Sequence, residues 1–182
     1  MIYLDYQATT PLAPEAFDAM LPLLRDQFAN PHSAHRLGRA AAAQVELARE
    51  EVARLLPPGG RTIFTSGATE ALNIAIQGAP PGRIVTIATE HAAVLDTVEA
   101  MGRAGRPITL LPVGPGGLVD LSVAAEAIGP GTALVAAMLV NNEIGVIQPV
   151  DALAGLAHRA GALFLCDAVQ GYGRLPVPAA AD

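Results

Sequence analysis

From residue 62 onward, short apolar, β-branched runs alternate with helical segments, and this alternation constrains the fold more than any other feature. The runs are Thr62–Thr65, Arg83–Ala88, Ile108–Pro112, Leu134–Leu139 and Leu163–Cys166. Between them Thr69–Gln77, Ala93–Ala104, Leu121–Ile128 and Val150–Ala160 carry helical periodicity. Strands separated by helices join through crossovers, which give a largely parallel sheet with helices on its faces, an α/β layer architecture. Two helices precede this pattern. Pro14–Phe28 places Phe17, Met20, Leu21, Leu24 and Phe28 on one face, with Pro14 suited to the first turn. Ala34–Leu56 turns Leu37, Ala41, Val45, Ala48, Val52 and Leu55 inward and is stopped by Pro57-Pro58-Gly59-Gly60. There is no internal repeat and no long polar linker.

A hydrophobic fraction of 52% and a mean hydropathy of +0.40 predict a packed core. The net charge is −6, and the 11 basic residues are all arginines scattered along the chain, which leaves no electrostatic footprint for nucleic acid. A single cysteine cannot form an internal disulfide, so nothing points to an oxidising compartment. The start, MIYLDYQATT, lacks the basic and apolar regions of a signal peptide, and the longest aliphatic run, Leu134–Val140, falls far short of the roughly 18 residues of a membrane span. A cytoplasmic protein with no membrane partner is expected.

Ligand sites in open α/β sheets lie at strand ends. After the first run, Thr65-Ser66-Gly67-Ala68-Thr69-Glu70 opens a helix whose unpaired amides at Ala68 and Thr69 form an anion cradle; the same residues also suit an ordinary capped helix start. Thr89-Glu90-His91 follows the second run, and His91 there is a base, a ligand, a flat stacking surface or a structural residue. Asn141-Asn142-Glu143-Ile144-Gly145 ends the fourth run, fitting either hydrogen bonds to a polar ligand or an Asn/Gly turn. Asp167, with Gln170 nearby, ends the fifth, and an acid closing a buried strand requires a cation or several donors. Together these ends describe a ligand with a phosphate at one end and a cationic heteroaromatic ring at the other.

The stretches YLDYQATTPL, NPHSAHRLGR, IFTSGATEALN, EHAAVLD, NNEIGVIQP and FLCDAVQ occur in this order and cover nearly the whole chain. As a set they resemble the cysteine desulfurases, class V aminotransferase-type enzymes dependent on pyridoxal 5′-phosphate. The resemblance implies an aspartate-aminotransferase-type large domain, of which these residues form the N-terminal portion. Residues 1–35 are expected to be an N-terminal segment and first helix, and residues 36–182 a partial cofactor-binding large domain. It implies conversion of L-cysteine to L-alanine, with sulfur passed as a persulfide toward iron–sulfur cluster or other thio-cofactor assembly. A sulfur-acceptor or scaffold partner and a homodimer are implied with it. Carried over by residue, Ala68 and Thr69 resemble the phosphate binders, and His91 the catalytic residue that stacks on the ring. Asn142 and Gln170 resemble the side chains beside the pyridine ring and its phenolic oxygen, and Asp167 the acid that holds the ring nitrogen protonated. A selenocysteine lyase or aminotransferase of the same class, or a non-catalytic binding or assembly module, are the alternatives.

Two elements of the family pattern have no counterpart here. The family binds its cofactor through a lysine in an S-x-H-K stretch beyond D-A-x-Q, and this sequence contains no lysine. Its sulfur-accepting cysteine also lies far downstream, so these residues alone are expected to be catalytically incomplete. Cys166 does not fill that gap: it is adjacent to Asp167 on a strand, where alternation sends the two side chains to opposite faces, and a buried structural thiol is expected. His32 and His35 have no cysteine or carboxylate at ligand spacing, and no metal is expected. The chain's end, with no closing helix, reads either as a loose tail or as the front of something longer, and at least one sheet edge is expected to be left open.

Overall fold

Two compact units, Met1–Ile63 and Phe64–Asp182, emerge in the computed structural model, which describes residues 2–182. The first holds α1 (Pro14–Arg25) and α2 (Arg36–Ala53). The loop between them is tied to the start of α2. His35 caps α2, its Nδ1 accepting the Gly38 N–H at 3.2 Å, and Arg39 Nη1 donates to the Ala34 carbonyl. A Cβ on Gly38 would lie 2.2 Å from the Ser33 carbonyl oxygen, so only glycine allows this approach. His35 is therefore a helix cap.

The helical stripes are present, but their expected burial within this unit is not. Phe17 is 49% exposed, Leu24 68% and Leu37 58%. Gly38 is the only buried residue among those described in this unit. A stripe is a property of the sequence, whereas its burial requires a second apolar surface, and the two helices of this unit do not supply one. The expected strand at Thr62–Thr65 is also absent, because no neighbouring strand pairs with it and an extended segment becomes a strand only through a ladder.

The second unit is the expected layered structure. Its elements are α3 (Ala68–Gly78), β1 (Arg83–Ile87), α4 (Ala92–Arg103), β2 (Ile108–Leu111), α5 (Leu121–Ala127), β3 (Thr132–Met138), α6 (Val150–Arg159) and β4 (Leu163–Asp167). All pairings in the sheet are parallel, in the order β2-β1-β3-β4. Every residue of β3 is buried, the signature of a parallel strand covered on both faces. Ile84, Leu134 and Ala136 pack with Leu72, Ile76, Val94 and Val98 under α3 and α4. Val85, Val135, Ala137 and Phe164 point the other way, against Ala124, Leu153 and Ala157 of α5 and α6.

Order and packing together create a switch point. The chain leaves β1 toward β2 by way of α4 on one face, then returns to the other side of β1 by way of α5 on the opposite face. The C-terminal ends of β1 and β3 therefore diverge into a crevice, the preferred ligand position in open α/β sheets. At the far end of the chain the last residue is not loose but returns to β4. Asp182 Oδ2 accepts the Phe164 N–H at 2.8 Å and lies 2.8 Å from His158 Nε2, while the Asp182 N–H donates to the Phe164 carbonyl.

Candidate functional site

α3 precedes β1 and α4 follows it, so both helices direct their N-termini to the C-terminal end of the sheet. The cap of α3 is Gly67, which has no side chain to offer, and the first-turn amides at Ala68 and Thr69 have no intrahelical acceptor. Thr65 Oγ1 donates to the Gly67 carbonyl at 2.9 Å, and Glu70 Oε2 accepts the Ser66 N–H at 2.6 Å, fixing the turn that presents those amides. Thr69 lines a groove between α3 and α4 together with Ala92.

Ala92 also lines a second pocket, of about 330 Å³, at the switch point. Here the segment after β1, with Thr89, Glu90 and His91, faces the segment after β3, with Asn141, Asn142 and Glu143. His91 caps α4: its Nδ1 accepts the Ala93 N–H at 3.0 Å, which fixes the ring and leaves Nε2 to carry the proton of a neutral imidazole. The residue remains exposed, so a face of the ring is open for stacking.

The two asparagines divide the roles left open by the sequence. Asn141 is buried and makes the turn: its Oδ1 accepts the Glu143 and Ile144 N–H groups at 2.8 and 2.9 Å, and its Nδ2 donates to the Thr89 carbonyl at 2.7 Å. It thereby ties the end of β3 to the end of β1. Gly145, at φ 68°, closes this turn in the left-handed region. Asn142 makes no side-chain hydrogen bond among the described residues and is free to meet a ligand in the same pocket as His91.

Asp167 closes β4, 7% exposed, its Oδ1 accepting the Val169 N–H at 3.0 Å. Leu165, two residues earlier, packs under α3 and α4, so alternation places Asp167 on the face from which α4 and His91 arise. Gln170 follows in the turn after β4, its Oε1 accepting from Arg174 Nη1 at 3.0 Å. Among the predicted residues, the structure gathers His91 and Asn142 into one pocket and puts Thr69 in the adjoining groove. Asp167 and Gln170 lie at the neighbouring strand end.

Cys166 packs into the opposite core, with Phe164. Burial, reinforced by the negative charges of Asp167, Glu90 and Asp151, pushes its thiol up to about 12. Alkylation at pH 8 is therefore expected to run at least about 100-fold slower in the folded chain than in the guanidinium-unfolded chain. Equal rates measured by mass spectrometry would show an accessible thiol.

Glu90 is the residue that sequence reasoning passed over. It is buried, with Oε1 accepting the Met138 N–H at 2.8 Å and Oε2 lacking any hydrogen-bond partner among the described residues. Burial, with a smaller contribution from the charge of Asp167, pushes its carboxyl up to about 8. The signal was legible: an acid just past a buried strand, the same argument that marked Asp167. Among the described residues no group of three or more histidine, cysteine or acidic side chains is placed to hold a metal, and no helix is long and apolar enough to cross a membrane.

A helix N-terminus with free amides, an exposed imidazole, an unengaged amide and a buried carboxylate thus stand at the C-terminal end of the sheet. The chain is 44% identical over 184 residues to the cysteine desulfurase IscS of Rickettsia bellii and 46% identical over 185 residues to that of Methylobacillus flagellatus, with 97% of this chain aligned in each. It spans 45% and 46% of the lengths of those relatives, less than half. A NifS-like protein superposes with a TM-score of 0.88 at 33% identity, covering 96% of this chain and 50% of the other. SspA, solved in complex with cysteine, superposes with a TM-score of 0.89 at 34% identity, covering 97% and 53%. Cysteine desulfurases of this kind depend on pyridoxal phosphate. With residues 2–181 matching the aminotransferase class-V profile, the chain belongs to the class V aminotransferase family and corresponds to the N-terminal portion of its longer members.

Proposed function

We propose that these residues form the cofactor-pocket portion of a pyridoxal-phosphate-dependent cysteine desulfurase, which converts L-cysteine to L-alanine and passes the sulfur on as a persulfide. The observation that carries the reading is the convergence of His91 and Asn142 in one pocket at the switch point, between an uncapped helix N-terminus and a buried carboxylate at the next strand end. Similarity to desulfurases, and to a structure that contains cysteine, supports the substrate.

Each residue then has a definable task. The Ala68 and Thr69 amides, with the Thr69 hydroxyl, hold the phosphate, aided by the positive end of the α3 dipole. His91, locked by its cap, stacks on the ring. Asn142 and Gln170 supply hydrogen bonds at the ring edge, and Asp167 holds a proton on the ring nitrogen. When bound, pyridoxal phosphate supplies an electron sink for bonds at the substrate's α-carbon.

Covalent anchorage and sulfur acceptance need a lysine and a reactive cysteine. The 182 residues contain no lysine, and their one cysteine packs into the core with its thiol pushed up, so both groups come from outside them in this reading. Iron–sulfur cluster assembly through an acceptor or scaffold protein, homodimer formation and a cytoplasmic location belong to the same proposal. The test is to supply the complete protein with pyridoxal phosphate and L-cysteine and to quantify alanine and protein-bound persulfide. Equimolar formation is expected; alanine without sulfur transfer, or transamination in its place, would favour another class V activity.

A further inference from the structure

Two carboxyl groups meet at the C-terminal end of the sheet, and the reading above employs only one. Met138, the last residue of β3, links them: its N–H donates to Glu90 Oε1, and in the β3–β4 ladder its register partner is Asp167. Glu90 Oε2 is sealed in the interior without a partner, whereas neither oxygen of Asp167 is left buried and unpaired. An ionised carboxylate with a sealed, unpaired oxygen carries a full desolvation penalty, which a proton on that oxygen removes. Two acids sharing a site do not both ionise readily, and the one with access to solvent or a ligand keeps the charge.

We propose that Glu90 is a positioning residue for Asp167: a neutral carboxylic acid that braces the end of β3 and leaves the pair's single negative charge on Asp167, facing the ligand. The inference rests on the assignment of Asp167 to a cationic ring nitrogen. One negative charge matches one pyridinium, whereas an ionised Glu90 would put a second, unmatched negative charge beside it. Asp167 is the titratable group acting on Glu90 from β4, Cys166 on the same strand feels the Glu90 charge in turn, and His91 is the neighbour of Glu90 in the chain. Burial and the Asp167 charge act in the required direction, holding the Glu90 proton to about pH 8.

The first experiment needs no cofactor. In the full 182-residue chain carrying ¹³C at the glutamate side-chain carboxyls, infrared titration is expected to show a protonated carboxyl at pH 7 that is lost near pH 8 and is absent in Glu90→Gln. In Asp167→Asn, which leaves Glu90 intact, the midpoint is expected to fall by about one pH unit, a tenfold change in proton affinity. No protonated glutamate at pH 7, or a midpoint indifferent to Asp167→Asn, overturns the proposal. The second experiment reads the ring-nitrogen resonance of ¹⁵N-labelled pyridoxal 5′-phosphate bound to the complete protein. Glu90→Gln is expected to keep the nitrogen protonated and Asp167→Asn to lose that state. If Glu90→Gln also loses it, Glu90 carries charge and the proposal fails. If Asp167→Asn keeps it while the first titration holds, the carboxyl pair stands, but the assignment of Asp167 falls, and with it the role given to Glu90.

Discussion

Replacing Asp167 with alanine in the complete protein is expected to slow alanine formation from cysteine by roughly 10²–10³-fold, the scale on which a single preorganised electrostatic partner acts in an active site. A buried carboxylate beside a ring nitrogen stabilises the protonated ring over the neutral one. Removing it leaves the ring a weak acceptor of electron density, so the loss should appear in kcat more than in KM. Asp167→Asn separates charge from packing, because its amide oxygen can still accept the Val169 N–H that Asp167 Oδ1 accepts at 3.0 Å. If the charge matters, the asparagine variant folds normally and loses nearly as much activity as the alanine variant. Near-normal turnover in either variant would remove Asp167 from the mechanism.

Glu90→Gln is expected to abolish a fall in stability that is expected of the native chain between about pH 5 and 8. The Glu90 carboxyl is pushed from 4.5 to about 8 in the folded state, chiefly by burial. Between those values the folded chain binds the proton more tightly than the unfolded chain, so the stabilisation is complete below the unfolded value and is lost as pH rises through the folded one. Across that window the change is on the order of 3–5 kcal/mol, a large fraction of the 5–15 kcal/mol by which domains are typically stable. Glutamine keeps an oxygen for the Met138 N–H but has no proton to lose, so its stability should stay level where the native chain's declines. Urea unfolding at pH 5, 6.5 and 8 reads the difference directly; parallel curves for the two chains would mean that Glu90 does not titrate in this range.

Much of the layered unit was legible in the sequence. The runs at Arg83–Ala88 and Leu134–Leu139 became β1 and β3, because β-branched residues flanked by helical periods leave few other solutions. The run at Thr62–Thr65 had the same composition and formed no strand, since a strand is defined by its neighbour. The apolar stripes of α1 and α2 were likewise real, yet Leu24 and Leu37 remain exposed within their unit. At the site, the residue types flagged His91, Asn142 and Asp167. They did not separate Asn141 as the turn-former from Asn142 as the open amide, a distinction that depends on which side chain points back into the loop.

The sequence by itself determined the α/β class, the family, and the absence of a lysine to anchor a cofactor. Those follow from periodicity, ordered motifs and composition, which require no coordinates. Only the tertiary structure decided the strand order β2-β1-β3-β4, and with it that the segments after β1 and β3 line one crevice. It alone exposed Glu90 as an acid with a sealed oxygen beside Asp167, because burial and proximity across strands arise from the packing of residues distant in sequence, and a carboxyl's charge depends on that surrounding space.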